Sequence, residues 1–313
     1  MAESNSISLD WLEFSVRGVT PEDVYEVVNG GADDDWIPLP SGGLGYHNQT
    51  MSSRTGVAVF WDERRPEIHV QVKGSSCRRM GYPAVLRLAV WCYRHKGHVS
   101  RLDLQATVPY EVLTVEQFRE GLASGECVSH MTAGRHMEEF TVGGREPRRG
   151  AKPPGNTVYL GSVKSRRQVR VYDKGAESNG AIPGTRIELQ ERDEAADEAL
   201  RQLEESYGDI ASVFVGRLVN AVDFRKVDGR QANRRDRAVW WAHVVGVVES
   251  LTAYGKVPPK TVEQAYAAFE RQYAPMVAVF VEAGLFGLHD LVDEGLKRLR
   301  AKHRVMLGAV GSG

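Results

Sequence analysis

A chain of 313 residues with 42% apolar and 26% charged content can bury a proper core, as one large domain or two small ones. No apolar run reaches the roughly 20 residues of a membrane helix, and the opening MAESNSISLD has neither the basic start nor the apolar stretch of a secretory signal, so a cytoplasmic protein with no membrane partner is expected. A net charge of −1 is not the strongly basic footprint usual for nucleic-acid binders, and Cys77, Cys92 and Cys127 suit neither a disulfide framework nor a CxxC metal clip.

SISLDWLEFSVRG reads as a strand in which Leu9 and Trp11 alternate while Ile7 and Leu12 fit less regularly. TPEDVYEVV predicts a helix, with Thr20 as its cap and Pro21 in its first turn. GGADDDWIPLPSGGLG predicts a loop, and GVAVFWD and EIHVQVKG predict two strands. PAVLRLAVWCYRHKG sets Val85, Leu86, Leu88, Ala89 and Cys92 at helical spacing, and HVSRLDLQATV follows as a strand. After a short helix, VEQFREGLASG, the stretch GGREPRRGAKPPGN predicts an exposed loop. TVYLGS and QVRVYDK are strands around a polar turn, and GTRIELQ is another. From about Asp193 the spacing turns helical, in DEAADEALRQLEESYG, RAVWWAHVVGVVESLTAYG, VEQAYAAFERQYA and GLHDLVDEGLKRLRAKHR. The fold expected is α+β: a largely antiparallel central sheet, helices on one face, and a C-terminal helical region, with domains at 1–230 and 231–313.

Charge is unevenly spread. From Arg145 to Arg170 eight cations face one acid, Glu146, and FRKVDGRQANRRDR holds six cations against two acids. Such segregation can build a basic groove on a neutral protein, although a short basic run is more often a solvated loop.

Four strands share a pattern. EIHVQVKG, SRLDLQA, VRVYDK and TRIELQ each alternate aliphatic residues with cations, carboxylates and amides, burying one face and exposing the other. If they lie in one sheet, Asp103, Glu188 and Tyr172 converge, with Arg101, Arg170, Lys174 and Arg186 around them. Two carboxylates suit Mg²⁺ or Mn²⁺, and arginines and lysines complement phosphate oxygens. A tyrosine in such a site can attack a phosphodiester, with flanking cations and a metal favouring the phenolate.

The plainer reading is a solvated sheet face, with Asp103 paired to Arg101 or Arg170 and Glu188 to Arg186. Tyr159 is a rival nucleophile, though its place beside Val158 and Leu160 favours packing. His69 falls on the polar face and is an outside candidate for a site role. His95 and His98 suit carbonyl partners at a helix C-terminus, and Trp240 and Trp241 suit a core stripe.

These residues resemble the replication initiation factors of rolling-circle plasmids and filamentous phages and the related relaxases of conjugative elements. The resemblance rests on LDWLEFSV, SRLDLQATV, NTVYLGSVKSRRQVRVYDKGAE, TRIELQER and VDFR, in that order, over about residues 8 to 242. It implies a sequence-directed nickase over 1–230 that leaves a 5′-phosphotyrosine and a free 3′-OH. It puts the nucleophile on Tyr172 with Lys174 beside it, and the metal positions on Asp103 and Glu188, for Mg²⁺ or Mn²⁺. Phosphates would fall to Arg101, Arg170 and Arg186, with Arg148, Arg149, Lys164 and Arg167 from the basic window. Family members often carry a second acid where this chain has Thr107, which puts a third carboxylate ligand in doubt. The phosphotyrosine conserves the energy of the broken bond, so closure needs no ATP, in keeping with the lack of a GxxxxGK[ST] loop.

The partners implied are single-stranded or hairpin origin DNA and a host helicase for unwinding. The C-terminal helices are expected to form either a homodimer contact or a DNA-docking appendage. The rival functions are a relaxase with the same chemistry, a non-catalytic DNA-binding copy-control protein, and a small-molecule enzyme that uses the carboxylates alone.

Overall fold

The computed structural model describes residues 5–140, 154–251 and 274–284, with 292, 293 and 296. Alternating strands build a ten-stranded sheet from β1 (Ser6–Arg17), β2 (Trp36–Pro38), β3 (Asn48–Ser52), β4 (Ala58–Trp61), β5 (Glu67–Val72), β6 (His98–Val108), β8 (Gly134–Glu138), β9 (Asn156–Leu160), β10 (Arg167–Asp173) and β11 (Thr185–Arg192). Across the sheet they run β2, β3, β4, β5, β1, β6, β11, β10, β9, β8, and every neighbouring pair is antiparallel. A separate pair joins β7 (Cys127–Val128) to β12 (Asp223–Phe224). The expected α+β architecture with a large antiparallel sheet is therefore what the chain forms.

The helices are α1 (Pro21–Asn29), α2 (Gly74–Met80), α3 (Tyr82–Arg94), α4 (Val115–Ala123), α5 (Lys174–Glu177), α6 (Glu194–Glu205), α7 (Ile210–Ala221), α8 (Val239–Ser250) and α9 (Ala274–Glu282). Thr20 caps α1 as its sequence predicts: its hydroxyl accepts from the Asp23 N–H, and the Asp23 carboxylate accepts from the Thr20 N–H at 2.7 Å. Between α3 and β6 the chain passes so close to β1 that a Cβ on Gly97 would meet Cys92 Sγ at 2.5 Å and the Ser15 carbonyl at 3.0 Å. Only glycine lets the strand leave the helix there.

One face of the sheet is aliphatic. Leu12, Phe14, Leu102, Leu104, Val169, Val171, Ile187 and Leu189 are fully buried against Leu88, Leu200, Leu203, Phe214, Leu218 and Trp241 of α3, α6, α7 and α8, in one cluster. Each such side chain contributes roughly 1.5–3 kcal/mol on burial, which holds the helices to that face. The chain divides into two compact units, Met1–Lys256 and Val257–Gly313; the first contains the sheet, and α9 lies in the second.

Some elements differ from the sequence reading. The Gly- and Pro-rich segment after α1 contains β2, and β3 and β8 were not anticipated. Both are short and largely polar, so neither shows the aliphatic alternation that marks the central strands. Strand β10 ends at Asp173, whose side chain accepts from the Ala176 N–H at 2.9 Å and caps α5; Lys174 opens that helix and does not continue the strand. The basic loop with Arg148 and Arg149 and most of the last two expected helices lie outside the described residues.

Candidate active site

Ladder register decides which side chains share the face away from the helices. Tyr172 pairs with Arg186 and Thr157, and Arg170 with Glu188 and Tyr159. Glu188 pairs in turn with Gln105, Gln190 with Asp103, and Asp103 with Trp11. Residues opposite one another in a ladder point the same way, and direction alternates along each strand. Tyr172, Glu188 and Asp103 therefore stand on one outer face, with Arg101, Arg170 and Arg186.

The Tyr172 hydroxyl donates to Oε1 of Glu188 at 2.6 Å, and Glu188 Oε2 accepts from Arg170 Nη1 at 3.2 Å. Arg170 lies over the phenol ring, 4.2 Å from its centroid, and Lys174 Nζ is 5.8 Å from the same centroid. Tyr172 is 4% exposed, yet it takes no part in the hydrophobic core; polar and charged groups cover it. The flanking cations were expected to favour the phenolate, but the balance runs the other way. Burial and the Glu188 charge push the phenol well above its usual range, and Arg186 and Arg170 offset only part of that. The resting tyrosine is a protonated hydrogen-bond donor.

Asp103 is buried and held by Arg101, whose Nε lies 2.9 and 3.2 Å from its two oxygens, with Gln190 Nε2 at 3.3 Å. Burial raises its pKa against the pull of Arg101. Of the two partners read from the sequence, Arg101 is the one Asp103 takes. Glu188 takes Arg170, whereas Arg186, 1% exposed, donates from Nε to Thr107 Oγ1 at 2.9 Å. Thr107 thus helps to fix a buried cation beside Tyr172.

Sequence reasoning missed Asp10. The ladder between β1 and β6 slips between Leu9 and Trp11, a bulge that accounts for the irregular alternation noted there. Its Oδ1 is buried without a hydrogen-bond partner. Burial, then the charges of Glu188 and Asp103, raise the Asp10 pKa to about 7, against Arg186 and Arg78. The broken alternation was the only signal available in the sequence.

Other expected residues are placed as follows. Arg167 pairs with Glu191 and so falls on the helical face, opposite to Tyr172: its Nε lies 2.9 Å from a fully buried Glu191 that Arg217 also binds at 2.7 Å. It is five residues from Tyr172, and an odd separation in a strand reverses the face, so it stands on the opposite side of the sheet from Tyr172. Lys164 is exposed in the turn between β9 and β10. Lys174 is buried and paired with Glu177. Tyr159 does not pack in the core: Val158 and Leu160 do, and Tyr159 faces outward between Arg135 and Arg170. His69 bonds Glu13 and Ser15, each at 3.0 Å. Hydrogen bonds from His69, Trp11 and Gln71 overcome burial and hold Glu13 down to about 2. His95 meets the Trp91 carbonyl at 2.9 Å, and His98 meets Asp197 at 2.7 Å. Trp241 is fully buried.

Among the described residues no three His, Cys, Asp or Glu side chains form a ready-made metal cage. The donors on this face do fit a hard cation in kind. Asp103 and Glu188 are carboxylates, and Asp10 Oδ1 and Gln105 Oε1 are buried oxygens lacking a donor. Mg²⁺ commonly takes one or two protein carboxylates and completes its shell with water and phosphate oxygens.

The family model for replication initiation factors matches residues 97–294, a span that contains Asp103, Tyr172 and Glu188. The chain belongs to the replication initiation factor family. This family member also shares its fold with the rolling circle replication initiator protein from Geobacillus stearothermophilus, at a TM-score of 0.66 and 23% identity, over 79% of this chain and 97% of that one. No curated protein matches the chain. No helix among the described residues of the initiation factor is long and apolar enough to cross a membrane.

Proposed function

We propose that this replication initiation factor nicks and rejoins the origin DNA of a rolling-circle element through a phosphotyrosine link on Tyr172. The observation that carries the reading is the 2.6 Å hydrogen bond from the Tyr172 hydroxyl to Glu188, on a sheet face that also bears Asp103, Arg170 and Arg186. An arriving phosphate meets Arg170 first, because its part-exposed guanidinium lies over the phenol ring, while the buried Lys174 adds positive charge nearby. The attraction of Arg170 to phosphate draws it off the ring and opens the hydroxyl to the strand.

The Tyr172 oxygen then bonds to phosphorus as its proton passes to Glu188 Oε1, and the bond from phosphorus to the 3′-oxygen breaks. That oxygen takes up the proton held by Glu188 and leaves as the 3′-OH, which returns Glu188 to the carboxylate, and the 5′-phosphate stays on the tyrosine. Rejoining is the same step reversed. Asp103 and Glu188 would hold Mg²⁺ or Mn²⁺, which would supply charge stabilisation for the phosphate oxygens. The phosphodiester must be reachable, which favours single-stranded or hairpin-extruded origin DNA, with duplex unwinding left to a helicase.

The test is to incubate the protein with Mn²⁺ and single-stranded origin DNA and look for an adduct that survives denaturation. Tyr172→Phe is expected to abolish the adduct and keep most of the binding. Binding with no adduct in the wild type would leave a non-catalytic DNA-binding protein. An adduct lost in Tyr159→Phe but kept in Tyr172→Phe would move the nucleophile to Tyr159.

A further inference from the structure

Every cation–π contact among the described residues falls on the outer face of the sheet. Arg135 and Arg170 flank Tyr159, Arg170 and Lys174 cover Tyr172, Arg101 covers Trp11, and Arg65 covers Tyr46. Tyr46 belongs to this face through its stacking on His69. The aromatic residues of the helical side, Phe118, Phe224, Trp240 and Trp241 among them, contact one another instead. A folded core explains rings packed on rings; it does not explain guanidiniums laid on rings along an open surface.

The pairs are not equivalent. Trp11 donates to Glu13 at 2.9 Å, and Arg101 is locked to Asp103, so that pair serves the interior of the site. Arg135 is different. It lies on β8, the edge strand, whose residues are all exposed, and it has no carboxylate partner among the described residues. Its guanidinium carbon sits 4.6 Å from the Tyr159 centroid. Arg135, Tyr159, Arg170 and Glu188 form one row across β8, β9, β10 and β11. Tyr159 is the diagonal neighbour of Tyr172 on that face, which places their Cα atoms about 7–8 Å apart. Arg170, between them, has a buried Nε with no acceptor.

Resting on the nicking reading above, we propose that Tyr159 and Arg135 form a nucleotide subsite beside the scissile phosphate, where a single-stranded DNA base stacks as the strand leaves over the β8 edge. The base lies on the outer face of the Arg135 guanidinium, backed by the Tyr159 ring. The adjoining phosphate sits between Arg135 and Arg170 and provides the acceptor that Arg170 Nε lacks. A stack of this kind reads no particular base, so it supports strand placement and not sequence choice.

Binding of labelled oligo(dT), followed by anisotropy across a salt series with Tyr172→Phe as the background, tests this. Tyr159→Leu, which keeps bulk but loses the ring, is expected to weaken binding about tenfold, and Tyr159→Phe to recover it. Arg135→Ala is expected to lower the slope of log affinity against log salt by about 0.7, one phosphate contact on a single strand, while Arg94→Ala on α3 leaves the slope unchanged. Wild-type affinity in Tyr159→Leu, or an unchanged slope in Arg135→Ala, overturns the subsite. If the wild type still forms its adduct in that case, the nicking reading stands alone. If the binding effects appear but no adduct forms in the wild type, the subsite stands and nicking falls.

Discussion

Tyr172 and Glu188 are diagonal neighbours on β10 and β11, and the phenol donates to the carboxylate across 2.6 Å. One acid thus does two opposed things. It accepts the hydrogen bond of the phenol, and its charge makes the phenolate costlier in the resting protein. Under the nicking reading, the same carboxylate is the acceptor for the proton that leaves when phosphate arrives.

Glu188→Gln keeps a hydrogen-bond acceptor for Tyr172 but removes the base. Adduct formation on single-stranded origin DNA is expected to slow by about 10²–10⁴-fold, the usual worth of a positioned proton acceptor. Single-turnover assays at several pH values would show it. A rate close to wild type would exclude Glu188 from proton transfer.

Asp103→Asn leaves the Arg101 guanidinium beside a neutral amide and weakens the oxygen set for a divalent ion. Saturating Mn²⁺ is expected to raise the melting temperature of the wild type, because a ligand at a hundred times its Kd adds about 2.7 kcal/mol. Asp103→Asn should lose most of that rise. An equal rise in both proteins would remove Asp103 from the metal site.

Asp10 gives a pH dependence of definite sign. Its folded pKa of about 7 lies well above the ordinary aspartate value of about 4, so between roughly pH 4 and 7 the folded state holds the proton more tightly than the unfolded one. Stability from this group falls as pH rises through that window. In chelator, Asp10→Asn is expected to be more stable than wild type at pH 8, on the order of 2–4 kcal/mol, with the gap closing toward pH 5. Denaturant melts at the two pH values check this, and a gap that widens on acidification would contradict it.

Glu191 is fully buried between Arg167 of β10 and Arg217 of α7. Arg217 also reaches Gln202 at 3.1 Å and the Ala195 carbonyl at 2.8 Å, so this ion pair ties α6 and α7 to the sheet. Glu191→Ala strands two cations and is expected to cost about 3–5 kcal/mol. Urea unfolding measures it; a loss under about 1 kcal/mol, the range of exposed pairs, would mean that water reaches the site.

The face of each central strand was legible in the sequence. VRVYDK and TRIELQ show their alternation openly, and β6 spans the very residues whose pattern suggested it, His98–Val108. That pattern alone puts Tyr172, Glu188 and Asp103 on matching faces. It also carried a warning about Arg167, five residues before Tyr172, because the same rule sends it to the other side. The partners were less legible. Asp103 had two arginines to choose from, and the bond from Arg186 Nε to Thr107 was not foreseen.

Period-two alternation is a local property of the backbone, so the sequence by itself settled which side of its strand each residue occupies. Which strands become neighbours is not local. The order β1, β6, β11, β10 sets Ser6 opposite Thr107 and Thr185 opposite Val108, residues far apart in the chain, and only that order sets a phenol against one carboxylate and brings Asp10 within the influence of the Glu188 and Asp103 charges. Burial follows from what lies on top of a residue, so the state of the Tyr172 proton was decided by the assembled sheet.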